Sequence, residues 1–579
     1  MTRTGGDLIA STLRAHGVGT VFSVAGASHA YLLDALDRAG IRIVSSRHES
    51  GAVGEADGYA RVKGGLGVAL IVADQGLPNA IGGLAVAWHA LSPVLVLVAT
   101  PPRDFTEADG AIDQDQLALV SPLTKWARTA PSMARLQDHL DASIKHAITG
   151  RPGPTVLLVP ENLLSEAAPA ALVASTPFAM PSRPQPERNA IEAAARAIAE
   201  AKRPLIVAGA GAAWGDAAEG LRSLVHEFKI PLLANGLGRG LVPEDFETVM
   251  SWPYGQAAAR HADCVLVVGA RLTQRLGLGL PPRFATDAVF IQIDIEPSAF
   301  HRNRPVDVAI HADAGAALRA LAKALKSKRP LAHAGHGWMT EALRSRTERV
   351  DALKDRDTDP IHPLRLGAAI AERLPSDAVY VGDGADIQTW MYGAIAIQRA
   401  RGFLDHYPMG AMGSGTPLAV GAAAAQAEQW RASGQEGAPP PVVLVTGDGA
   451  IGFLPAELHA AALSGLRLVV VVGNDGAWGT EAHGQQRALG RTINTRLGKL
   501  PYEKLGEAFG GKGAIARTVV EMAGALDDAF AAQGVFVVNV ELDETAGAEL
   551  KTNADVRMIL FSDIVEGQSA LGIRRRDPD

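Results

Sequence analysis

The chain contains almost no cysteine and no long apolar run. Cys264 is the single cysteine among 579 residues, which excludes an internal disulfide. Its place in "ADCVLVVGA" predicts a small buried strand residue and not a reactive thiol. The longest apolar runs, such as "LRLVVVV", have the length of a strand and are too short to span a membrane. The N-terminal residues predict an amphipathic helix without the apolar core of a signal peptide, so we expect a cytoplasmic protein.

A strong net charge is also missing. The formal net charge is -7, and 47% of the residues are hydrophobic while 20% are charged. This balance is that of a soluble globular protein, and it gives no reason to expect nucleic acid or an anionic membrane as a partner. Since 579 residues exceed what one hydrophobic core organises, the length suggests about three domains.

Three blocks of the sequence alternate short β-branched runs with Ala-rich helical stretches. This alternation is typical of doubly wound parallel sheets in an α/β fold. We expect domains over residues 1–165, 188–330 and 360–547. A Pro/Ala/Ser-rich linker separates the first two, and the charged stretch "RTERVDALKDRD" precedes the third. Residues 548–579 form a polar C-terminal tail.

Two predicted strands of the third block, 442–445 and 468–472, each lead into a Gly-rich turn that contains an aspartate, Asp448 or Asp475. Ligands of such sheets bind at the carboxyl ends of the strands, where small residues let backbone N–H groups approach an anion. The two carboxylates would repel an anion unless a hard cation such as Mg²⁺ lies between them. We therefore expect a metal and phosphate site, and the alternative is that "GDG" is only a tight turn.

These residues carry a family resemblance. Gly447-Asp448-Gly449 followed by Asn474-Asp475 resembles the signature of thiamine diphosphate (ThDP) enzymes. The resemblance implies ThDP as the coenzyme and Mg²⁺ held by Asp448, Asp475 and the backbone carbonyl of Ala477. It also implies coenzyme contacts in these turns and in the turn "VGDGAD", at Gly384, Asp386, Gly449, Ala450 and Asn474. The family usually has Asn in place of Asp475, and the extra carboxylate attracts the cation but repels the diphosphate.

The first block supports the same family. "IRIVSSRHESGAVGEADGYARVKG" resembles the segment of the pyruvate oxidase and acetolactate synthase branch that carries the coenzyme-activating glutamate, and Glu49 is the matching residue. A carboxyl bonded to N1′ of the aminopyrimidine promotes removal of the proton from thiazolium C2. The alternative is that Arg47, His48 and Glu49 form a surface charge cluster.

A third segment, "GFLDHYPMGAMGSGTPLAVGAA", resembles the part of the family that lies under the pyrimidine. Met412 would be the bulky wedge below the coenzyme, and the carbonyl of Gly410 would accept a hydrogen bond from it. The resemblance covers almost the whole chain in the order pyrimidine-binding, central and diphosphate-binding domain. It implies that Glu49 of one subunit reaches coenzyme held by another, so we expect a homodimer or homotetramer.

Two loops bear on the substrate. "GAIDQDQLALVSPLTKWA" resembles the loop of benzaldehyde lyase in which a glutamine reaches the substrate, and Gln114 is the matching residue. "FSVAGASHAYLLDAL" takes the place of that enzyme's His-bearing loop, with Ser28 or His29 near the thiazolium. A single histidine at this position is as compatible with a structural role as with a catalytic one.

The central block carries a different resemblance. "FIQIDIEPSAFHRNRPVDVAIHADA" looks like the matching stretch of oxalyl-CoA decarboxylase and 2-hydroxyacyl-CoA lyase. Arg302 and Arg304 either meet nucleotide phosphates or form solvated surface. The turn "IVAGAGAAWG" is compatible with an ADP or FAD site or with an empty remnant, since it lacks the full dinucleotide fingerprint. We expect ADP or CoA here ahead of FAD.

The tail and the substrate loop favour one reaction. "MILFSDIVEGQSALGIRRR" resembles the C-terminal lid of the CoA-dependent members, with Arg574, Arg575 and Arg576 near CoA phosphates, and the alternative for residues after Gly572 is a disordered tip. The Phe-Gln-Glu motif of acetolactate synthases is replaced by Ala111-Ile112-Asp113.

The sequence therefore predicts a reversible C–C lyase that acts on 2-hydroxyacyl-CoA esters or 2-hydroxy ketones and yields an aldehyde or ketone. A 2-oxo acid decarboxylase or an acetolactate-synthase-like carboligase is the alternative. A ThDP-binding protein that has lost catalysis is a third reading, against which the presence of Glu49 argues.

Overall fold

The computed structural model describes residues 3–105, 108, 114–172, 178, 180–333, 335–548 and 561–571. Within these residues the chain forms three six-stranded sheets in which every pairing is parallel. Apolar β-branched runs form the central strands because such strands are covered by helices on both faces. In β4 (Val94–Thr100), for example, every residue of "VLVLVAT" is buried. The predicted α/β class with three parallel sheets is confirmed.

The first sheet has the strand order β2-β1-β3-β4-β6-β5. Its strands are β1 (Thr20–Ser23), β2 (Arg42–Ser45), β3 (Gly67–Val72), β4, β5 (Trp126–Thr129) and β6 (Thr155–Pro160). Its helices are α1 (Gly5–Ala15), α2 (Ala30–Arg38), α3 (Glu49–Lys63), α4 (Gly76–Ala90), α5 (Gln116–Val120), α6 (Met133–Ile148) and α7 (Glu161–Ser165). A capping box of Thr4 and Asp7 begins α1, the helix that the sequence predicts there.

The second sheet has the order β12-β11-β10-β7-β8-β9, the arrangement of doubly wound nucleotide-binding folds. Its strands are β7 (Pro204–Ala208), β8 (Leu232–Ala234), β9 (Val249–Ser251), β10 (Cys264–Val268), β11 (Val289–Asp294) and β12 (Val308–His311). The helices are α8 (Arg188–Glu200), α9 (Ala210–Trp214), α10 (Ala218–His226), α11 (Trp252–Gly255), α12 (Ala314–Lys326) and α13 (Gly337–Lys354). Cys264 is a buried residue of β10, as predicted.

The third sheet repeats the topology of the first, with the order β14-β13-β15-β16-β18-β17. Its strands are β13 (Val379–Gly382), β14 (Phe403–Asp405), β15 (Val442–Gly447), β16 (Leu468–Asn474), β17 (Lys512–Ala516) and β18 (Val535–Glu541). The helices are α14 (Pro363–Ala371), α15 (Asp386–Met391), α16 (Gly415–Ala432), α17 (Asp448–Ile451), α18 (Glu457–Leu463), α19 (Gly479–Leu489), α20 (Glu503–Ala508), α21 (Val519–Ala531) and α22 (Phe561–Ala570). Searching the described residues finds no helix long and apolar enough to cross a membrane.

The charged stretch before the third domain and the C-terminal tail both contribute helices. Most of the charged stretch "RTERVDALKDRD" is the end of helix α13, not an irregular connection. The tail contributes α22, and a Cβ at Gly567 of this helix would lie 2.3 Å from the carbonyl oxygen of Pro281, so α22 packs on the second domain. Residues 111–113, 549–560 and 572–579, including Arg574, Arg575 and Arg576, lie outside the described residues.

Helices α3 and α16 hold the first and third domains together. A Cβ at Gly58 of α3 would lie 2.1 Å from the carbonyl oxygen of Leu418, and one at Gly421 of α16 would lie 1.8 Å from that of Glu55. The two backbones are therefore in direct contact. One hydrophobic cluster runs through this contact from the first sheet to the third, so the two domains share a core.

We expect Gly421→Ala to destabilise the protein because the added methyl group must push α3 and α16 apart. Overpacking of this kind costs about 1–3 kcal/mol, which will appear as a lower thermal unfolding midpoint. Gly524→Ala is the matched control, since Gly524 lies in α21 with no atom within 4 Å of its missing Cβ. This control should leave the midpoint unchanged or raise it, because Ala favours a helix by about 0.5–1 kcal/mol over Gly. Equal midpoints for the two variants would contradict the close contact.

Candidate active site

Asp448 lies directly after β15 and begins the short helix α17, at the carboxyl edge of the third sheet. Its side chain is buried. Its Oδ1 accepts a hydrogen bond of 2.8 Å from the N–H of Gly449, and its Oδ2 accepts one of 2.8 Å from the N–H of Gly476. The second bond ties the turn after β15 to the turn after β16. The structure thus brings the two predicted metal-binding turns together.

Asp475 lies in the second of these turns, where its Oδ1 accepts a hydrogen bond of 3.1 Å from the N–H of Ala477. Burial, together with the nearby carboxylates of Asp448 and Asp386, raises the pKa of Asp475 to about 7. Burial also raises the pKa of Asp448 to about 6. Neighbouring buried carboxylates disfavour each other's charged form, and a bound cation reverses that effect. The donor set fits a hard divalent cation for this reason.

The two aspartates do not enclose a cation by themselves. Within the part of the chain that the structure describes, no group of three or more His, Cys, Asp or Glu side chains could hold a metal ion. Oxygen atoms of the backbone, of water or of a diphosphate would have to complete the coordination. Mg²⁺ is commonly bound in this way, by one or two carboxylates and by phosphate.

Asp386 begins α15 and lies opposite Asp475 across the backbone of Gly479. The hydroxyl of Thr480 donates a hydrogen bond to its Oδ1. A Cβ at Gly479 would lie 2.5 Å from Oδ2 of Asp475 and 2.9 Å from Oδ2 of Asp386, so both carboxylates converge on this glycine. The predicted coenzyme contact Asp386 is therefore a third carboxylate beside the predicted metal ligands.

A buried carboxylate fixes the turn after β13 against the segment that carries Met412. Asp383 accepts hydrogen bonds of 2.7 Å from the N–H of Gly384, 2.9 Å from that of Gly413 and 2.8 Å from that of Gly415. Gly410, at the other end of the segment, has a φ of 79°, a conformation that favours glycine. Gly384 and Met412 are thereby held at the same edge of the sheet.

These turns line one cavity, and most of the predicted coenzyme and metal residues belong to it: Gly384, Asp386, Met412, Asp448, Gly449, Ala450, Asp475 and Ala477. Gly410 and Asn474 are not among its lining residues. The side-chain amide of Asn474 donates hydrogen bonds of 3.1 Å each to the carbonyl of Leu500 and to Oδ1 of Asn539. Asn474 therefore joins β16 to β18 beneath the cavity.

Glu49 is the first residue of α3 and is half-buried. The amide of Asn79, on α4, donates a hydrogen bond of 3.1 Å to Oε2 of Glu49. A Cβ at Gly76 would lie 3.2 Å from Oε1, so the start of α4 closely approaches the carboxylate. Glu49 does not line the cavity around Asp448. Within one chain, the structure does not bring these two predicted sites together.

The loop after β1 contains the two candidate residues Ser28 and His29. His29 is buried, and its Nε2 accepts a hydrogen bond of 3.2 Å from the N–H of Gly26 and lies 3.4 Å from the hydroxyl of Ser23. Burial lowers the pKa of His29, which favours the neutral ring. Oγ of Ser28 is buried without a hydrogen-bond partner among the described residues. Nδ1 of His29 is likewise buried without a hydrogen-bond partner among the described residues. His29 therefore stabilises its own loop through Nε2, and both residues keep one polar atom that could contact a ligand.

Gln114 is exposed at the first described position after residues 109–113. The next glutamine, Gln116, begins α5 and is buried, and its Nε2 donates a hydrogen bond of 3.0 Å to Oδ1 of Asp74 in the turn after β3. Sequence reasoning missed Gln116, although the repeated Asp-Gln pair "DQDQ" was a signal. It also missed Asn79, for which no spacing gave a signal, and Asp383, which stands in the Gly-rich turn "VGDGAD".

A second and larger cavity, of ≈ 1060 Å³, lies between the first domain, the linker and the second domain. Arg151, Arg271 and Arg302 line it, together with Asp294 at the end of β11. Burial, followed by the nearby charges of Arg151 and Arg302, lowers the pKa of Arg271 to about 10. The charges of Arg151 and Arg302 thus disfavour that of Arg271, although the carboxylates of Glu296 and Asp294 favour the charge of Arg151. An anion bound beside Arg271 would relieve this repulsion.

Arg304 also lies at this cavity but is not free to bind a phosphate. It is buried, and its guanidinium donates to the backbone carbonyls of four residues at 2.9–3.1 Å: Gly279, Ala285, Thr286 and Ala288. Its role is to fold the segment before β11, so neither alternative from the sequence describes it. Arg302 is exposed, and it remains available to a ligand.

Comparison with known proteins covers nearly the whole chain. Three thiamine pyrophosphate enzyme domains match it: the N-terminal TPP binding domain at residues 3–119, the central domain at 191–321 and the C-terminal TPP binding domain at 367–540. The chain is 31% identical to a "Probable acetolactate synthase" from Mycobacterium bovis, across 95% of this chain and 98% of that protein. It is 29% identical to a 2-hydroxyacyl-CoA lyase from Arabidopsis thaliana, across 94% and 96%.

Solved structures agree on the fold. Benzoylformate decarboxylase from Polynucleobacter necessarius superposes with a TM-score of 0.79 at 19% identity, covering 94% of this chain and 99% of that one. The three domains match in order, and the identity to the mycobacterial relative holds over almost the full length. The chain therefore belongs to the thiamine pyrophosphate enzymes, a family of ThDP-dependent proteins.

Proposed function

We propose that the protein is a ThDP- and Mg²⁺-dependent carbon–carbon lyase, and in reverse a carboligase, that cleaves 2-hydroxyacyl-CoA esters or 2-hydroxy ketones to an aldehyde or ketone. The observation that carries this proposal is the hydrogen bond from Gly476 to Asp448, which joins two acidic turns next to the point where the strand order of the third sheet reverses. When bound, ThDP supplies a carbon nucleophile at thiazolium C2 and accepts the electrons of the broken bond.

The residues of the chain have separate tasks in this proposal. Asp448, Asp475 and the carbonyl of Ala477 would hold the cation that neutralises the diphosphate. The glycines of the surrounding turns would let backbone N–H groups approach the phosphates. Glu49, oriented by Asn79, would hold a proton at N1′ of the aminopyrimidine and so promote proton removal at C2.

We infer that a second copy of the chain completes the site. Glu49 lies outside the cavity around Asp448, and two apolar side chains near that cavity are exposed, Met412 by 36% and Phe453 by 55%. Large exposed apolar residues next to a binding site commonly mark an interface. A homodimer in which each copy gives Glu49 to the other is the smallest complete unit, and a homotetramer would contain two such pairs.

The lyase is favoured over the alternatives by the loop before α5. Ala111-Ile112-Asp113 stands where acetolactate synthases have Phe-Gln-Glu. Ser28, with its unpartnered hydroxyl, and Gln114 are proposed to face the substrate. The relative named acetolactate synthase supports the alternative, a 2-oxo acid decarboxylase or acetolactate-synthase-like carboligase. The cytoplasmic location and the lid formed by the tail stay predictions.

The reaction is tested by product analysis of the enzyme loaded with ThDP and Mg²⁺. We expect aldehyde release from a 2-hydroxyacyl-CoA or an aromatic acyloin without formation of CO₂, because a lyase breaks the C–C bond beside the hydroxyl-bearing carbon. Pyruvate and benzoylformate serve as parallel substrates. Stoichiometric CO₂ from either of these, with no aldehyde from the hydroxy compounds, would establish the alternative.

The larger cavity is proposed to hold the ADP portion of a nucleotide, as free ADP or within CoA. Arg151, Arg271 and Arg302 supply cations for the phosphates, and guanidinium groups pair well with phosphate oxygens. Asp294, at the end of β11, also lines the cavity, and its carboxylate would accept a hydrogen bond from a ribose hydroxyl. FAD is the less favoured occupant, because the turn "IVAGAGAAWG" lacks the full dinucleotide fingerprint.

We expect ADP or CoA to raise the unfolding midpoint, since a ligand at about 100 times its Kd stabilises by about 2.7 kcal/mol. Arg302→Ala should weaken this shift by removing one phosphate contact. Arg135→Ala is the control, because Arg135 pairs only with Asp138 on the exposed face of α6. A shift with FAD alone would identify a flavin site, and a shift unaffected by Arg302→Ala would remove Arg302 from it.

The metal site is tested with Asp448→Ala and Asp475→Asn. Asp448→Ala should weaken Mg²⁺-supported ThDP binding by at least the roughly 10–100-fold that loss of an outer partner costs a metal site. Asp475→Asn should retain binding, because an amide oxygen still ligates while one negative charge facing the diphosphate is removed. Titration calorimetry of ThDP at fixed Mg²⁺ measures both. Loss of binding in Asp475→Asn with retention in Asp448→Ala would reverse the assignment.

Mixed dimers of two variants test whether a second copy of the chain completes the active site. Glu49→Gln and Asp448→Ala should each be nearly inactive as homodimers. Co-expressed, they form mixed dimers in which one site has both an intact Glu49 and an intact Asp448, so activity should partly return. No recovery in a mixed dimer isolated with two affinity tags would show that the site lies within one chain.

A further inference from the structure

Two buried carboxyl groups meet at the contact between the first and third domains, apart from the cavities described above. Glu457 begins α18, the helix that follows the Asp448 turn, and Glu55 lies in α3. Both side chains have 0% relative exposure. Burying a charge without a partner is costly, so each carboxyl group at this position needs a physical reason.

The backbone just before Glu49 supplies the hydrogen-bond donors that stabilise Glu457. Its Oε2 accepts a hydrogen bond of 3.0 Å from the N–H of Arg47, and its Oε1 accepts one of 3.0 Å from the N–H of His48. A Cβ at Gly51 would lie only 2.0 Å from Oε1. The carboxylate therefore sits against the first turn of α3, and it fixes the two residues that precede Glu49.

The charged form of Glu55 is the less stabilised of the two. Its Oε2 accepts a hydrogen bond of 2.5 Å from the hydroxyl of Ser46, while its Oε1 has no donor among the described residues. Burial, followed by the charge of Glu457, raises the pKa of Glu55 well above its usual range. Burial also raises the pKa of Glu457, but the N–H groups of Arg47 and His48 oppose that rise by stabilising its charged form. A proton on Glu55 lets it donate to Glu457 and satisfies both groups.

We infer that Glu457, supported by Glu55, is a positioning residue for Glu49. It fixes the start of α3 to the helix that leaves the Asp448 turn, so the glutamate that acts at the aminopyrimidine is held by the third domain of its own chain. This inference rests on the proposed function. Misplacing a reacting group by about 1 Å can cost on the order of 10²-fold in rate, so the effect of this contact is measurable.

The variant Glu457→Ala removes the acceptor for both N–H groups. We expect exchange of the ThDP C2 proton, followed by NMR in deuterium oxide, to slow about 10–100-fold. The affinity for ThDP and Mg²⁺ should change less than about threefold, because Asp448 and Asp475 remain in place. A purely structural residue would lower affinity and unfolding midpoint without a selective loss of exchange.

Glu428→Ala is the matched control. Glu428 also crosses between the two domains, and it accepts hydrogen bonds from Tyr59 at 2.7 Å and from Lys63 at 2.6 Å. These contacts lie at the far end of the 15-residue helix α3, roughly 20 Å along its axis from Glu49. We expect a lower unfolding midpoint in this variant and an unchanged exchange rate.

A double-mutant cycle with Glu49→Gln separates the inference from the proposed function. If Glu457 acts through Glu49, Glu457→Ala should have no further effect on exchange when Glu49 is already Gln. A full additional loss in that background would overturn the positioning role while leaving the function intact. If Glu49→Gln alone leaves exchange unchanged, the proposed function itself fails.

Should Glu457→Ala not fold, Glu457→Gln replaces it in the same cycle. The amide oxygen still accepts one backbone hydrogen bond, but the negative charge that strengthens both bonds is lost. We expect exchange at least threefold slower with Glu49 present and no difference with Gln at that position. Exchange equal to that of the unmodified protein would overturn the inference.

Discussion

The direct contact between the backbones of α3 and α16 is the constraint on which the arrangement of this molecule depends. Gly58 and Gly421 allow the two helices to approach until a carbonyl of each fills the place of a side chain on the other. The shared core around this contact makes the first and third domains one unit. Because α3 begins at Glu49 and α16 follows the Met412 segment, the same contact sets the distance between the two half-sites that one chain contributes.

Buried carboxylates are stabilised in three different ways around this core. Burial raises the pKa of Asp383, but His406, 3.4 Å away, and the backbone N–H groups of Gly384, Gly413 and Gly415 oppose this rise, so groups of the fold itself stabilise its charge. Glu457 accepts hydrogen bonds from the N–H groups of Arg47 and His48, while burial and the charge of Glu457 raise the pKa of Glu55 and favour its neutral form. Asp475 accepts a hydrogen bond from the N–H of Ala477, but the carboxylates of Asp448 and Asp386 lie beside it and disfavour its charge. Of these three arrangements, that of Asp475 is the one in which a bound cation would stabilise the charge. This difference distinguishes the proposed metal site from the structural carboxylates.

The sequence predicted the sheets and the acidic turns well because both depend on local patterns. Runs such as "VVLVTGDG" specify a buried parallel strand followed by a tight turn, and the structure places Asp448 and Asp475 accordingly. The strand β14 and the role of Arg304 were not predicted. β14 has three residues, too few for a periodic signal. The structural role of Arg304 depends on hydrogen bonds to four backbone carbonyls between residues 279 and 288, which only the tertiary fold brings together.

Contacts between domains were the least predictable part of the site, and the repeated topology explains where they occur. The first and third sheets share one strand order, so α3 and α16 each follow the second strand of their domain and meet as equivalent elements. In the first domain, the start of α4 follows the third strand and brings Gly76 and Asn79 close to Glu49. In the third domain, Asp448 follows the equivalent strand, β15. One topology thus presents Glu49, the proposed proton-handling carboxylate, at one carboxyl edge and the proposed cation-binding pair, Asp448 and Asp475, at the other. Because neither edge holds both groups, the proposed chemistry requires two edges to face each other, and a second copy of the chain would meet that requirement.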